Sequence, residues 1–142
     1  MSKLEQPRPV RVLLIDDSIP VRQRIRSLIE ETCSVEVVGE AGSVAASLFL
    51  LHSNPVDAVV LDLHLWDGDG RAVLSEIKRS HPECVVIVLT SFSESRDRVH
   101  CLQLGADHFF DKVKEFERVP EVLAQLHDVL ADPQSHTHAN HP

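Results

Sequence analysis

The stretch Val12-Leu13-Leu14-Ile15-Asp16-Asp17-Ser18 runs four apolar residues straight into two carboxylates and a hydroxyl. A short run that is apolar at every position is what a strand buried on both faces of a parallel sheet requires. The same figure recurs along the chain. Ala58 to Leu61 stops at Asp62, Val85 to Leu89 stops at Thr90, and a weaker run, His108 to Phe110, stops just before Asp111 and Lys112. Val35 to Val38 is a further β-branched run, giving five predicted strands.

Helical patterns fill the gaps between them. Val21, Ile25, Leu28 and Ile29 fall on one face of a first helix, with Pro20 suited to its first turn. Ser43 is placed to cap a second helix over Val44 to Leu51. Val73, Leu74 and Ile77 mark a third, and Val99 and Leu102 mark a fourth that Gly105 closes. Val119, Val122, Leu123, Leu126, Val129 and Leu130 give the last helix a wide apolar stripe. Strand and helix alternating five times predict an α/β fold, because parallel neighbours need long right-handed crossovers that the helices supply. The expected architecture is a doubly wound five-stranded parallel sheet with helices on both faces. In such sheets ligands bind outside the carboxyl ends of the strands, so Asp16, Asp17, Asp62, Thr90 and Lys112 are expected in one pocket.

With 142 residues the chain fits one domain. Met1 to Pro9 reads as a flexible lead-in, Val10 to Ala131 as the domain, and Asp132 to Pro142, polar and carrying His136, His138 and His141, as a disordered tail. Lys and Arg number 14 against 22 Asp and Glu, a net charge of -8 that argues against direct nucleic-acid binding. Cys33, Cys84 and Cys101 form no CxxC pair and suit a reducing cytoplasm rather than a disulfide framework or thiolate zinc site. The longest charge-free apolar stretch, from Ala41 to the break at His52, falls short of the roughly 18 residues a membrane span needs. The first residues also lack the apolar centre of a signal peptide.

Carboxylates gathered at strand ends repel one another unless a cation lies between them. Magnesium answers that need, since it takes oxygen ligands and leaves positions for water and phosphate oxygens. An ammonium at Lys112 and a hydroxyl at Thr90 are donors for the oxygens of a transferring phosphoryl group. One carboxylate then remains as a nucleophile.

VLLIDDS at Val12 to Ser18, VVLDLHLWDGDG at Val59 to Gly70, VIVLTS at Val86 to Ser91 and GADHFFDK at Gly105 to Lys112 together resemble the receiver domain of a two-component response regulator, as found in single-domain chemotaxis regulators. The resemblance covers about Val10 to Ala131. It implies the flavodoxin-like strand order 2-1-3-4-5. It also implies that Asp62 is the phosphoacceptor, that Asp17 binds magnesium directly and Asp16 through water, and that the main-chain carbonyl of His64 is the third protein ligand. By the same resemblance Thr90 bonds the phosphoryl group, Lys112 pairs with it, and Phe109 is the switch aromatic that moves with Thr90. Because neighbours in a strand face opposite sides, only one of Phe109 and Phe110 is expected to turn toward the switch surface while the other packs inward.

The chain departs from the family pattern at two places. Val113 follows Lys112 where the family often has a proline in a cis bond, and a cis bond before Val113 would cost roughly 2.5–4 kcal/mol, so a trans loop is expected. Trp66 stands where the family often has proline, and is expected exposed beside the pocket. Phe92, two residues after Thr90, is expected to hinder water and slow hydrolysis of an aspartyl phosphate. Asp67, Gly68, Asp69 and Gly70 resemble the start of a calcium loop, but Lys78 stands where the twelfth-position Glu belongs, so helix capping is the better account.

The implied function is that of a phosphoprotein in phosphorelay signal transduction, taking phosphoryl from a sensor histidine kinase or phosphotransfer protein onto Asp62 with magnesium. It is expected to be a switch and not a turnover enzyme. Its output surface is expected at the fourth helix, fifth strand and last helix, where a downstream protein docks or a homodimer forms. No DNA-reading domain follows in the sequence, so protein contact or onward phosphotransfer is the expected readout. Two alternatives stay open at this point: an enzyme that hydrolyses small phosphate esters through Asp62, and a receiver-like binding module that carries no phosphate.

Overall fold

The computed structural model describes residues 8–32, 34–91 and 94–132. Within them five strands, β1 (Val10–Ile15), β2 (Val35–Ala41), β3 (Ala58–Leu61), β4 (Val85–Thr90) and β5 (His108–Asp111), alternate with five helices, α1 (Ile19–Glu30), α2 (Val44–Ser53), α3 (Gly70–Ser80), α4 (Ser95–Gln103) and α5 (Arg118–Ala131). The strands pair in parallel in the order β2-β1-β3-β4-β5, the expected topology. A two-residue antiparallel ribbon, His64–Leu65 against Gly68–Asp69, is the one addition to that plan among the described residues.

The sheet divides the core in two, because successive side chains of a strand point to opposite faces. Leu13, Ile15, Val59, Leu61, Val86 and Val88 face α2, α3 and α4. Val12, Leu14, Val60, Ile87 and Leu89 face α1 and α5 through Ile25, Ile29, Val119 and Leu123. β3 is buried along its whole length. β2, by contrast, does not match the expectation of a strand apolar on both faces. It is the edge strand, Glu36 is exposed, and Glu40 instead pairs with Arg22 and Arg26 of α1.

Local chemistry sets the helix starts. Ser18 Oγ accepts from Val21 N and Pro20 lies in the first turn of α1. Ser43 Oγ accepts from Ala46 N at α2. Asp69 accepts from Arg71 N at α3, as capping requires. Gly105 follows α4 with φ of 108°, a left-handed conformation that favours glycine. The helix α4 itself corrects the sequence expectation. Val99 and Leu102 point outward, and Cys101 is what α4 buries. A short helix with only two apolar periodic positions carries no strong phase, and the small Cys101 side chain is its core residue.

The amino edge of the sheet is held by Asp57. Its carboxylate accepts from Arg11 N at 2.8 Å and from the guanidinium groups of Arg8 and Arg11. Its backbone joins β1 to β4 through Arg11 O and Val85 N. Arg8, assigned by sequence to the lead-in, is therefore tied to the fold. Burial alone would raise this carboxyl, but the hydrogen bonds from Arg8 and Arg11 outweigh it and hold Asp57 well below the usual carboxylate range. A carboxylate with a depressed folded-state pKa stabilises the fold above its unfolded value near 4, and that contribution is lost as pH falls toward the folded value. We expect Asp57→Asn to lower unfolding free energy at pH 7 by about 1.5–3 kcal/mol. Denaturant titrations on both proteins should show the gap narrowing below about pH 4; a gap independent of pH would refute the role.

Candidate functional site

Three backbone hydrogen bonds bring the strand ends level. Asp16 N donates to Ala41 O, Asp62 N to Ile15 O and Lys112 N to Thr90 O, each at 2.9 Å. The residues that follow the apolar runs of β1, β3, β4 and β5 therefore meet at one edge. Asp16, Asp62 and Thr90 are buried there and Asp17 is exposed at the rim.

Lys112 Nζ lies 2.6 Å from Asp16 Oδ2 and 3.1 Å from Asp62 Oδ2. The other Asp62 oxygen, Oδ1, accepts from the Thr90 hydroxyl at 3.0 Å and from His64 N at 3.3 Å. Asp16 Oδ1 accepts from Ser18 N at 2.8 Å. Burial works to lower the Lys112 pKa, but the hydrogen bond with Asp16 and the charge of Asp62 raise it, so the ammonium stays charged. Burial pushes the Asp16 carboxyl up against the pull of Lys112 and Ser18 N. The pocket is therefore a set of close charges in which the Lys112 ammonium lies between two carboxylates.

Carboxylate oxygens of Asp16, Asp17 and Asp62 lie within 4.8 Å of one another, the one such group of three among the described residues. An all-oxygen set of this size fits a hard divalent ion that keeps several water ligands. Asp17, exposed, opens the cluster to solvent. His64 follows Asp62 by two residues and opens the ribbon by pairing with Asp69.

The ribbon explains the DGDG text. Asp69 caps α3, but Asp67 reaches across to the start of α2, accepting from Val44 N at 2.7 Å and Ala45 N at 3.4 Å. Gly70 N donates to Leu63 O at 2.7 Å, and a Cβ on Gly70 would overlap the Asp62 carbonyl oxygen. Neither the α2 cap nor this contact was anticipated. The composition of DGDG signals a tight turn, but which distant backbone it meets depends on the crossover. Trp66 stands at the ribbon tip, 77% exposed, in agreement with expectation. No cis peptide occurs among the described residues, so Val113 follows Lys112 in trans as expected.

Thr90 and Phe109 are both turned inward. Phe109 is buried against the α2, α3 and α4 side, and Arg98 donates to its carbonyl at 3.0 Å. Phe110 packs on the opposite side with α1 and α5. The two do face opposite sides, but the expected division into one surface and one core residue does not hold, since helices cover both faces of β5. Phe92, Cys33 and the tail histidines His136, His138 and His141 lie outside the described residues.

The family model for the response regulator receiver domain matches residues 12–124. Among curated proteins, the response regulator protein VraR of Staphylococcus aureus is 30% identical over 114 residues, covering 80% of this chain and 54% of that protein. The chain thus spans about half the length of the curated relatives it matches. Among solved structures, the signal receiver domain of the putative response regulator NarL from Mycobacterium tuberculosis superposes with a TM-score of 0.77 at 28% identity, over 86% of this chain and 98% of that one. The response regulator domain of Thermotoga maritima CheB gives 0.73 at 26% identity, over 89% and 100%.

The contact between Gly70 and the Asp62 backbone makes a specific claim. Gly70→Ala should cost about 1–3 kcal/mol of unfolding free energy, because the added methyl meets backbone that cannot swing aside. An unchanged urea midpoint would show that the loop gives way.

Proposed function

Because the chain belongs to the response regulator receiver domains, we propose that it is a signalling switch that accepts a phosphoryl group on Asp62 from a phosphohistidine of a sensor histidine kinase or phosphotransfer protein. Receivers are switches and not turnover enzymes. The observation that carries the reading is the treatment of Asp62 at the end of the central strand. Its two oxygens are addressed by different donors, Oδ1 by the Thr90 hydroxyl and Oδ2 by the Lys112 ammonium.

In the transfer, an Asp62 oxygen forms a bond to phosphorus as the bond from phosphorus to the donor imidazole nitrogen breaks. Lys112 and Thr90 already point at the reacting carboxylate, so they are placed to donate to the phosphoryl oxygens once these arrive. Asp16, Asp17, Asp62 and the main-chain carbonyl of His64 would hold magnesium, whose charge would neutralise the phosphoryl oxygens. Asp16 also keeps Lys112 charged and oriented.

Thr90 and Phe109 form the proposed switch, with the phosphoryl group favouring the inward arrangement of both. The output face is α4, β5 and α5, where a downstream protein or a second receiver docks. Exposed Val99 and Leu102 on α4 support that placement. No helix among the described residues is long and apolar enough to cross a membrane. Buried free thiols at Cys84, pushed up to about 12 by burial, and Cys101 are in keeping with a cytoplasmic site of action. The charge of -8 favours protein partners over direct nucleic-acid contact.

Incubation with acetyl phosphate and magnesium should add one phosphoryl group to the wild-type chain by intact mass and none to Asp62→Asn. Equal labelling of the two would sink the assignment, and absence of labelling in both would favour a binding module. Trp66 emission should change on saturation with magnesium or a phosphoryl mimic, since the ribbon it tips begins at His64, which bonds Asp62. A flat titration would separate Trp66 from the pocket.

A further inference from the structure

We propose that Arg22 is a positioning residue for the metal site, gripping the peptide that joins Asp16 to Asp17 so that both carboxylates stay set for a divalent ion. The role rests on the reading of Asp16, Asp17 and Asp62 as magnesium ligands, and adds the side chain that holds their backbone. The three acids are not held alike. Asp16 is bonded by Lys112 and Ser18 N, and Asp62 by Lys112, Thr90 and His64 N. Among the described residues no hydrogen bond or ion pair reaches the exposed Asp17 carboxylate, so its direction is set by its own backbone.

Arg22 takes hold of that backbone. Its Nη1 donates to the Asp16 carbonyl, the oxygen of the peptide bond that leads into Asp17. Its Nε donates to Glu40 Oε1 on β2 at 2.9 Å, between side chains only 15% and 27% exposed. Glu40 is itself anchored, because Arg26 Nε donates to its other oxygen at 2.8 Å. Burial works to raise the Glu40 carboxyl, but hydrogen bonds from Arg26 and Arg22 outweigh it and keep the group ionised. Gly42, just past β2, leaves room for the guanidinium: a Cβ there would stand 3.3 Å from Arg22 Nη1 and 3.5 Å from Asp17 Cα. The chain of contacts is a brace from the edge strand, through Glu40 and Arg22, to the turn that carries the two acids.

Local helix chemistry does not account for Arg22. It lies near the amino end of α1, where the helix dipole disfavours a cation. The planar guanidinium serves a carbonyl and a carboxylate at once in fixed directions, which the single point charge of a lysine does not reproduce. Charge and position also make opposite demands. As a charge alone, Arg22 repels a divalent cation bound nearby, so its removal would strengthen metal binding. As a brace, its removal frees the Asp16–Asp17 peptide, lets Asp17 swing away and weakens binding.

The sign of the effect is therefore the test. Magnesium would be titrated into the full chain, well below the Tm of each variant, with the backbone amide resonances of Asp16, Asp17 and Ser18 giving the dissociation constant. Arg22→Ala and Arg22→Lys should each bind magnesium about tenfold more weakly than wild type, the loss typical of a partner that orients metal ligands. Glu40→Ala should weaken binding as well, and adding it to Arg22→Ala should cost nothing further, since both cut one brace. Should Arg22→Ala fail to fold, Arg22→Lys and Glu40→Ala decide. Unchanged or tighter binding by Arg22→Ala, or wild-type affinity in Arg22→Lys, overturns the positioning role and leaves the metal reading standing. No magnesium binding by the wild type overturns both.

Discussion

Lys112 between Asp16 and Asp62 is the interaction on which the pocket depends. Two carboxylates about 4 Å apart repel by about 4 kcal/mol at the effective dielectric of a protein rim, and here a third, Asp17, stands beside them. A fold that gathers acids at one sheet edge must supply a permanent cation or lose the edge to repulsion. The ammonium supplies it from the last strand, whereas the acids come from the first and third. The pairing therefore ties the sheet together across β1, β3 and β5, and a bound divalent ion would act on an arrangement already made. Leaving one oxygen of Asp62 to Thr90 and the other to Lys112 keeps that carboxylate oriented without burying it unpaired.

Much of this was legible in the chain because of one periodicity. Runs apolar at every position identify strands covered on both faces, and the residue that breaks each run is delivered to the carboxyl edge. Asp16, Asp17, Asp62, Thr90 and Lys112 were found in this way, and the resemblance to receivers named their roles and the strand order. Edge and surface positions were read less well. β2 looked like a core strand from Val35 to Val38, yet nothing in four β-branched and charged residues says which strand has only one neighbour. α4 had too few apolar positions to fix its phase, so Val99 and Leu102 marked the helix without showing that Cys101 is the residue it buries.

What the sequence could not carry were contacts set by tertiary approach. Asp67 capping α2 joins residues that no local rule connects, and Gly70 against the Asp62 carbonyl is a steric fact about two backbones. Arg8 looked like part of a loose lead-in until Asp57 claimed it. Each depends on a crossover placing one loop over another, which composition does not encode.

The sheet that splits the core has a consequence for how sequence change propagates. Phe109 and Phe110 are covalent neighbours, yet one lies in the core cluster on the α2, α3 and α4 side of the sheet and the other in that on the α1 and α5 side. Among the described residues their side chains belong to separate core clusters. The energetic effects of altering them should therefore add, as for remote sites, despite their adjacency. Drift in the packing of the α1 and α5 layer can then proceed without retuning the layer that holds Phe109. The fold in this respect is two half-molecules glued back to back, with the acidic pocket at the glue line.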